Sequence, residues 1–358
     1  MPTIRDVAKL AGVAPITVSR VINHSGYFSG DTRLHVEAAI NQLGYVPNTL
    51  ARSLRSRHTN TLALVLTDIT NPFWTTVTRG VEDAASDAGY NVILCNTDES
   101  EAEQEKYLNV LLQKRVDGIL LVPAGTTPDP VVLIQKQDVI VVILDRRIPS
   151  IKVDTVRCDS EDGGYQLTRL LLSLGHRQIA ILSGPKGIST AEDRVDGYCR
   201  ALTEAGLPVF AKNIFYDEFT QQGGYAMAQK ALAISRRPTA LIAANNFIAI
   251  GALQAVRQAG LQVPEDLALV GFDDLPVALL VDPFFTVAAQ PAYEMGKQAM
   301  ELLLARIAGQ LEPASQEIIL PVEVVIRRSS GTLVKNLTSR ERQHPVKGVS
   351  TQDAYPRK

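Results

Sequence analysis

The chain reads as an α/β protein: three short helices at the N-terminus, a connecting segment, and a large body built on parallel sheets. Three observations predict this. Residues 1–60 hold three short amphipathic patterns with an excess of basic charge, and from Thr61 onward apolar strand-like runs alternate with helical ones. At 358 residues the chain also exceeds what a single core usually supports.

In the first 60 residues, Ile4, Val7, Ala8 and Ala11 fall at i, i+3, i+4 and i+7, and Val36, Ala39, Ile40 and Leu43 repeat the spacing. Gly12-Val13-Ala14 is a tight break, and Ser29 stands where an N-cap for the third helix belongs. Two helices joined by a short glycine-containing turn, with a third packed across them, make a helix-turn-helix. In the second helix, about 100° per residue places Val18, Val21 and Ile22 on one side and Ile16, Thr17 and Arg20 on the other. Pro15 suits the first turn, where a missing N–H costs nothing. An exposed isoleucine beside an arginine is an unusual outer face for a helix that needs only to be wet.

The segment Tyr45 to Asn60 is basic and has no periodic core beyond Leu50 and Leu54, which lie four apart. It reads either as a solvated linker or as a short helix starting near Thr49. Strands are expected at TLALVL, NVILCNT, VDGILLVPA, VIVVILDR, QIAILSG, TALIAANN, DLALVGFDD and FTVAAQ, and helices at segments such as VTRGVEDAASDAGY, EAEQEKYLNVLLQKR and QLTRLLLSLGH. Continuous apolar strands in repeated βα units imply parallel sheets covered on both faces. The tail, residues 332–358, is polar and aperiodic and reads as disordered or as an accessory arm.

Composition narrows the function classes. Apolar residues make up 46% and charged ones 21%, with no apolar run near the ~20 residues of a membrane span and no apolar signal core at the start. A cytoplasmic protein away from membranes is expected. Cys95, Cys158 and Cys199 are odd in number and outside any CxxC pair, so they read as buried free thiols. The five histidines, His24, His35, His58, His176 and His344, form no metal motif, and no metal or cofactor is expected. Neither GxGxxG after the first strand, nor GxxxxGK[ST], nor GxSxG is present, which sets the enzyme reading aside. The net charge of −2 hides an asymmetry: residues 1–60 carry 7 − 3 = +4, and the remainder 29 − 35 = −6. A basic head on an acidic body is the balance expected if only the head meets a polyanion.

Ligands of open parallel sheets bind at the carboxyl ends of the strands. Those ends carry Asn71, Phe73 and Trp74 in TDITNPFW, Asp145 and Arg146 after VIVVIL, Arg194, Phe219, Asn245, Asp273 in GFDD, and Gln290. Flat aromatics cover the apolar faces of a small ring, while carboxylates, amides and guanidinium forks satisfy its hydroxyls, an inventory that suits a sugar. Each residue also has a plain structural reading: Phe219 as core, Asp274 as a cap of the next helix, Asp145-Arg146 as a loop ion pair.

TIRDVAKLAGVAPITVSRVIN, YVPNTLARSLR, NPFW, VPEDLALVGFDD and VVIRRSSG, in this order from about Pro2 to Gly331, resemble the LacI/GalR family of bacterial repressors. The resemblance implies a helix-turn-helix domain at 1–46, a hinge at 47–60 and a periplasmic-binding-protein-like effector and dimerisation domain at 61–331. Its lobes are expected at about 62–159 with 291–318, and at about 160–290 with 319–331. The implied DNA contacts are Thr3, Pro15, Ile16, Thr17, Arg20 and Asn23, with Arg52, Leu54 and Arg55 from the hinge. There Ile16 would meet a thymine methyl, Arg20 a guanine, and Leu54 would wedge into the minor groove. Ala14 stands where the family more often has a capping serine or threonine. The ten strand-end residues fall where ribose-binding relatives place their sugar contacts, with Trp74 replacing a phenylalanine. The implied protein is a cytoplasmic, sequence-specific transcriptional repressor binding a palindromic operator in double-stranded DNA as a homodimer, a tetramer being the other assembly. Its effector would be a small sugar or sugar phosphate, a pentose such as ribose first. The alternatives are a sugar-binding protein without a DNA role and a regulator responding to a purine. Pro276 to Phe285, PVALLVDPFF, is the expected dimer surface.

Overall fold

The computed structural model describes residues 2–23, 25–46, 58–275 and 284–332. The hinge residues Arg52, Leu54 and Arg55, residues 276–283 of the apolar segment, and the tail from residue 333 lie outside the described residues. The chain forms two compact units, Met1–Thr61 with Arg115–Asp117, and Leu62–Lys114 with Gly118–Lys358.

The head contains α1 (Ile4–Ala11), α2 (Pro15–Ile22) and α3 (Gly30–Leu43). Thr3 opens α1, its N–H and hydroxyl both donating to Asp6 Oδ2 at 2.8 Å, and Gly12 closes it at φ +66°. Pro15 occupies the first position of α2, and Ala14 before it offers no side-chain acceptor. Ser29 Oγ accepts from the Thr32 N–H at 3.2 Å and so caps α3, as the sequence predicts. Val7, Val18 and Val36 are fully buried at the centre, with Ala8, Val21 and Ala39 around them and Ile4, Ile22, Leu43 and Tyr45 packed at the edge. The helix period therefore sorts the residues of α2 as expected: valines inside, Ile16 and Arg20 out.

The body opens with β1 (Thr61–Leu66), β2 (Asn91–Asn96), β3 (Gly118–Leu121), β4 (Ile140–Leu144), β5 (Asp154–Cys158) and β6 (Ile179–Ser183). It continues with β7 (Ile214–Tyr216), β8 (Ala240–Ala243), β9 (Ala268–Phe272), β10 (Thr286–Ala289), β11 (Glu317–Leu320) and β12 (Glu323–Val325). Two six-stranded sheets result, in the orders β11-β5-β4-β3-β1-β2 and β12-β10-β9-β8-β6-β7. Parallel pairing dominates both, β12 running antiparallel to β10. Eight strands were expected; β5, β7, β11 and β12 add to them. β5 and β11 carry Asp154, Arg157 and Glu317, which obscure the apolar signal, and β7 and β12 are only three residues long.

Helices cover the sheets: α4 (Pro72–Asp87), α5 (Glu101–Gln113), α6 (Asp129–Gln135), α7 (Ser160–Ser173), α8 (Ser189–Glu204), α9 (Gln221–Leu232), α10 (Asn246–Gln258) and α11 (Ala292–Ile307). Val77, Val81, Met295, Ala299 and Leu303 from α4 and α11 pack on Leu62, Leu64 and Val142 of the first sheet. Leu167, Leu171 and Tyr198 cover one face of the second sheet, and Met227, Ile248 and Ala252 the other. Helix α7 starts at Ser160, six residues before the expected Gln166, because Gly163 and Gly164 look like breakers but serve close packing. A Cβ at Gly164 would lie 2.4 Å from the Arg194 carbonyl oxygen of α8. Gly164 lets the backbones of α7 and α8 touch at Arg194, and Gly163 makes room for the Phe272 ring of β9.

The chain passes between the sheets three times, after Cys158, after Ala289 and after Leu320. The third passage was expected after residue 318. Ile319 and Leu320 still pair in register with Arg157 and Cys158, so the first lobe extends two residues further. No described helix is long and apolar enough to cross a membrane.

Candidate functional site

A cavity of about 510 Å³ lies between the two sheets at the carboxyl ends of their strands. Its lining includes all ten expected residues: Asn71, Phe73 and Trp74 after β1, Asp145 and Arg146 after β4, Arg194 on α8, Phe219 after β7, Asn245 after β8, Asp273 after β9 and Gln290 after β10. The sheets bring together side chains that span more than 200 positions of sequence.

Two buried aspartates face the cavity. Asp145 and Asp273 are each 6% exposed and end β4 and β9 in the left-handed region, at φ +63° and +65°. A non-glycine residue there is held against its preference by its surroundings, a feature that clusters at functional sites. Burial raises the pKa of Asp145, against the pull of the Arg194 and Arg146 guanidinium groups. Burial likewise lifts Asp273 to about 6, opposed by Arg194 and by the Gln290 Nε2 that donates to Asp273 Oδ1 at 2.5 Å. Both flank the Arg194 guanidinium, and a carboxylate is an acceptor for hydroxyl protons.

The arginines are fixed from behind. Arg146 forms a two-pronged pair with Glu99, 2.6 Å on each side, and donates to the Pro123 carbonyl at 2.8 Å. Its guanidinium lies 5.7 Å from the centre of the Phe219 ring. Arg194 donates to the Ala244 carbonyl and stacks over Phe272 at 4.3 Å. Among the described residues, Thr67 Oγ1, Asp145 Oδ1, Arg146 Nε, Arg194 Nε and Gln290 Oε1 are buried with no protein partner. Buried polar atoms are normally paired, so a lining with several left over is suited to a ligand bearing many hydroxyls.

Other members have structural duties as well. Asn71 Oδ1 caps α4 through the Phe73 N–H at 3.0 Å and also accepts from Asn246 Nδ2 at 2.9 Å. Asn245 caps α10 through the Ile248 N–H at 2.8 Å. Phe73 and Trp74 meet edge to face, 4.9 Å apart, and are 7% and 5% exposed, so each presents only a small part of its surface to the cavity. Asp274 pairs with Arg327 at 2.6 Å on both oxygens, and the segment it was expected to cap lies outside the described residues.

Asn246 and Arg147 stand at strand ends in the sequence, but their partners across the cleft do not show there, and Glu99 and Asp193 went unrecognised. Glu99 follows β2 in an acidic stretch, Asp98-Glu99-Ser100-Glu101, that reads as an ordinary solvated turn. Asn246 belongs to the first lobe's neighbour across the cleft, and Arg147 links the lobes through Asp193 at 2.6 Å and, by its own N–H, through Ser189 Oγ at 2.8 Å. Pairs between distant segments leave no local signal.

In the head, Pro15, Ile16 and Arg20 are exposed on α2, Ile16 at 56%, and Thr17 is half-buried. No ion pair or hydrogen bond engages the Arg20 guanidinium among the described residues. Thr3 is committed to Asp6, and Asn23 folds back so that its Nδ2 donates to the Ser19 carbonyl at 2.7 Å. Both are exposed and both end helices.

Residues 59–328 match the model of periplasmic binding proteins and the sugar-binding domain of the LacI family, and residues 3–48 match that of bacterial regulatory proteins of the lacI family. The ribose operon repressor of Escherichia coli (strain K12) is 38% identical over 308 residues, 86% of this chain and 93% of that protein. The transcriptional repressor PurR of Photobacterium profundum is 36% identical over 330 residues, 92% and 98% of the two chains. Among solved structures, the lac repressor dimer bound to operator and the anti-inducer ONPF is 27% identical with a TM-score of 0.81, covering 92% of this chain and 99% of that one. A LacI family regulator from Enterococcus faecium with bound ribose is 31% identical with a TM-score of 0.67, covering 77% and 100%. These relatives are transcriptional regulators, not enzymes. With both parts matched, a helix-turn-helix head and a periplasmic-binding-protein-like body, the chain belongs to the LacI family of DNA-binding transcriptional regulators.

Proposed function

We propose that the protein is a cytoplasmic repressor that binds a palindromic operator as a homodimer and is controlled by a small sugar, a pentose such as ribose first, held in the cleft between the lobes. The observation that carries this reading is the cleft itself: ten residues singled out for hydroxyl and ring recognition line one 510 Å³ cavity, with unpartnered buried donors and acceptors among them. Asp145, Asp273 and Arg194 would hold neighbouring hydroxyls, and Phe219 one face of the ring. The 38% identity to a ribose operon repressor supports the same ligand. On the DNA side, α2 would enter the major groove, with Arg20 on a guanine edge and Ile16 on a thymine methyl. Arg52, Leu54 and Arg55 would act at the minor groove between the half-sites.

Closure of the lobes on the sugar would alter the spacing of the two hinges in a dimer and so change operator affinity. The test is a thermal-shift screen of pentoses, hexoses and purines followed by mobility-shift titration on palindromic DNA. A sugar that raises the melting temperature and moves the operator affinity supports the reading. A purine as the only such ligand favours the second reading, which the 36% identity to PurR keeps open. Loss of sequence preference in Arg20→Ala is expected, and an unaltered preference would sink the DNA assignment.

A further inference from the structure

The charges around the cleft are unbalanced. Asp68, Asp98, Glu99, Asp145, Glu218 and Asp273 line it, six carboxylates, against the guanidinium groups of Arg146 and Arg194. Neither lysine nor histidine is in that lining. Both arginines are already engaged, Arg146 with Glu99 and Pro123, and Arg194 with the Ala244 carbonyl between the two buried aspartates.

Helix N-termini could in principle supply an anion site, since five helices begin beside the cleft. Four of the five carry a side-chain cap. Asn71 caps α4, whose first residue is Pro72 and has no N–H; Ser100 Oγ caps α5; Thr220 Oγ1 caps α9; Asn245 Oδ1 caps α10. No side chain caps α8, but Glu192 Oε1 accepts from the Gly187 N–H of the loop before it at 2.9 Å, which places a carboxylate beside that helix end.

We infer that the cleft is built for an uncharged polyhydroxylated ligand and rejects phosphorylated or carboxylated sugars. The inference rests on the sugar reading above and narrows it. A neutral polyol donates its hydroxyl protons to the aspartates and meets no repulsion. A phosphate in the same place adds negative charge to a lining with four more carboxylates than guanidinium groups, and both of those guanidinium groups are already engaged.

Calorimetric titration of the full-length protein at pH 7.5 tests this with matched ligands: ribose, glucose and fructose, each beside its terminal monophosphate and its terminal O-methyl ether. The neutral parent of one set should bind, its ether should bind within about tenfold, and its phosphate roughly a hundredfold or more weaker. A phosphate that binds within tenfold of its parent overturns the inference and leaves the sugar reading intact. Equal loss of ether and phosphate also overturns it, because size rather than charge then does the excluding. If no neutral sugar in any set binds, the sugar reading falls and the inference with it.

Discussion

Replacing Asp273 by Asn separates the stability of the cleft from its recognition. Asp273 is 6% exposed, and burial lifts its pKa from the usual 3.8 to about 6. A raised native pKa means that the group's favourable contribution is complete below the unfolded value and is lost as pH rises through about 6. Taken from 3.8 to about 6, the linkage amounts to about 3 kcal/mol at pH 7.5 and about half of that at pH 5. Asparagine is nearly isosteric, accepts from Gln290 Nε2 as the aspartate does, and is the side chain best tolerated at the left-handed φ of +65°. The variant should therefore be more stable than the parent at pH 7.5, by up to about 3 kcal/mol, and the advantage should shrink to about 1.5 kcal/mol at pH 5. Urea unfolding of the full chain at the two pH values measures both quantities.

The same change should abolish the response to the effector, because a neutral amide replaces the ionised acceptor that the sugar hydroxyls would meet. A more stable protein that no longer binds is the expected pair of results. A variant less stable than the parent at pH 7.5, or a difference that does not change with pH, would show that the buried carboxylate carries no such penalty. Retained ligand affinity would remove Asp273 from the site.

Three further outcomes are expected. Asp193→Asn removes the 2.6 Å ion pair to Arg147 across the lobes, where the Asp193 side chain is 13% exposed, and should weaken effector binding about tenfold by favouring open forms, as calorimetry would read; unchanged affinity sets the link aside. Gly164→Ala puts a Cβ 2.4 Å from the Arg194 carbonyl oxygen and should cost about 1–3 kcal/mol in denaturant unfolding while also loosening the ligand, whereas a neutral result would mean that α7 and α8 can part freely. Arg20→Ala should reduce discrimination between operator and mutated operator by about 1–3 kcal/mol in mobility-shift titration, with base substitutions at one position no longer felt.

Much of this architecture is legible in the sequence because burial is periodic. The three head helices follow from the i, i+3, i+4 spacing of valines and alanines, and the central strands follow from unbroken apolar runs that end up fully buried. What the sequence hides is where polar residues serve packing. β5 escapes notice because Asp154 is paired with Arg306 and Arg157 with Glu317, partners 152 and 160 residues away. The start of α7 is hidden because its glycines serve close packing, Gly164 on the backbone of α8 and Gly163 on the Phe272 ring. For the cleft, strand ends are a sufficient guide to the residues that face it, but not to the residues that hold those in place. Glu99 and Asp193 act through other side chains and carry no motif of their own.

The structural and functional readings of the cleft residues are therefore not rivals. Asn71 and Asn245 cap helices with Oδ1, which anchors the side chain and fixes the direction of the amide group that lines the cavity. Arg194 is held by a carbonyl and by the Phe272 ring, so its guanidinium is already oriented before any ligand arrives. Such anchoring lowers the ordering cost of binding, since each immobilised side chain would otherwise lose about 0.5–1.5 kcal/mol of rotamer freedom. The left-handed turns at Asp145 and Asp273 work in the same direction: the backbone strain is met in folding, and the carboxylates stand in position independently of the ligand. A cap that lines a cavity thus contributes to recognition because it is a cap, and removing it should lower affinity and helix stability together.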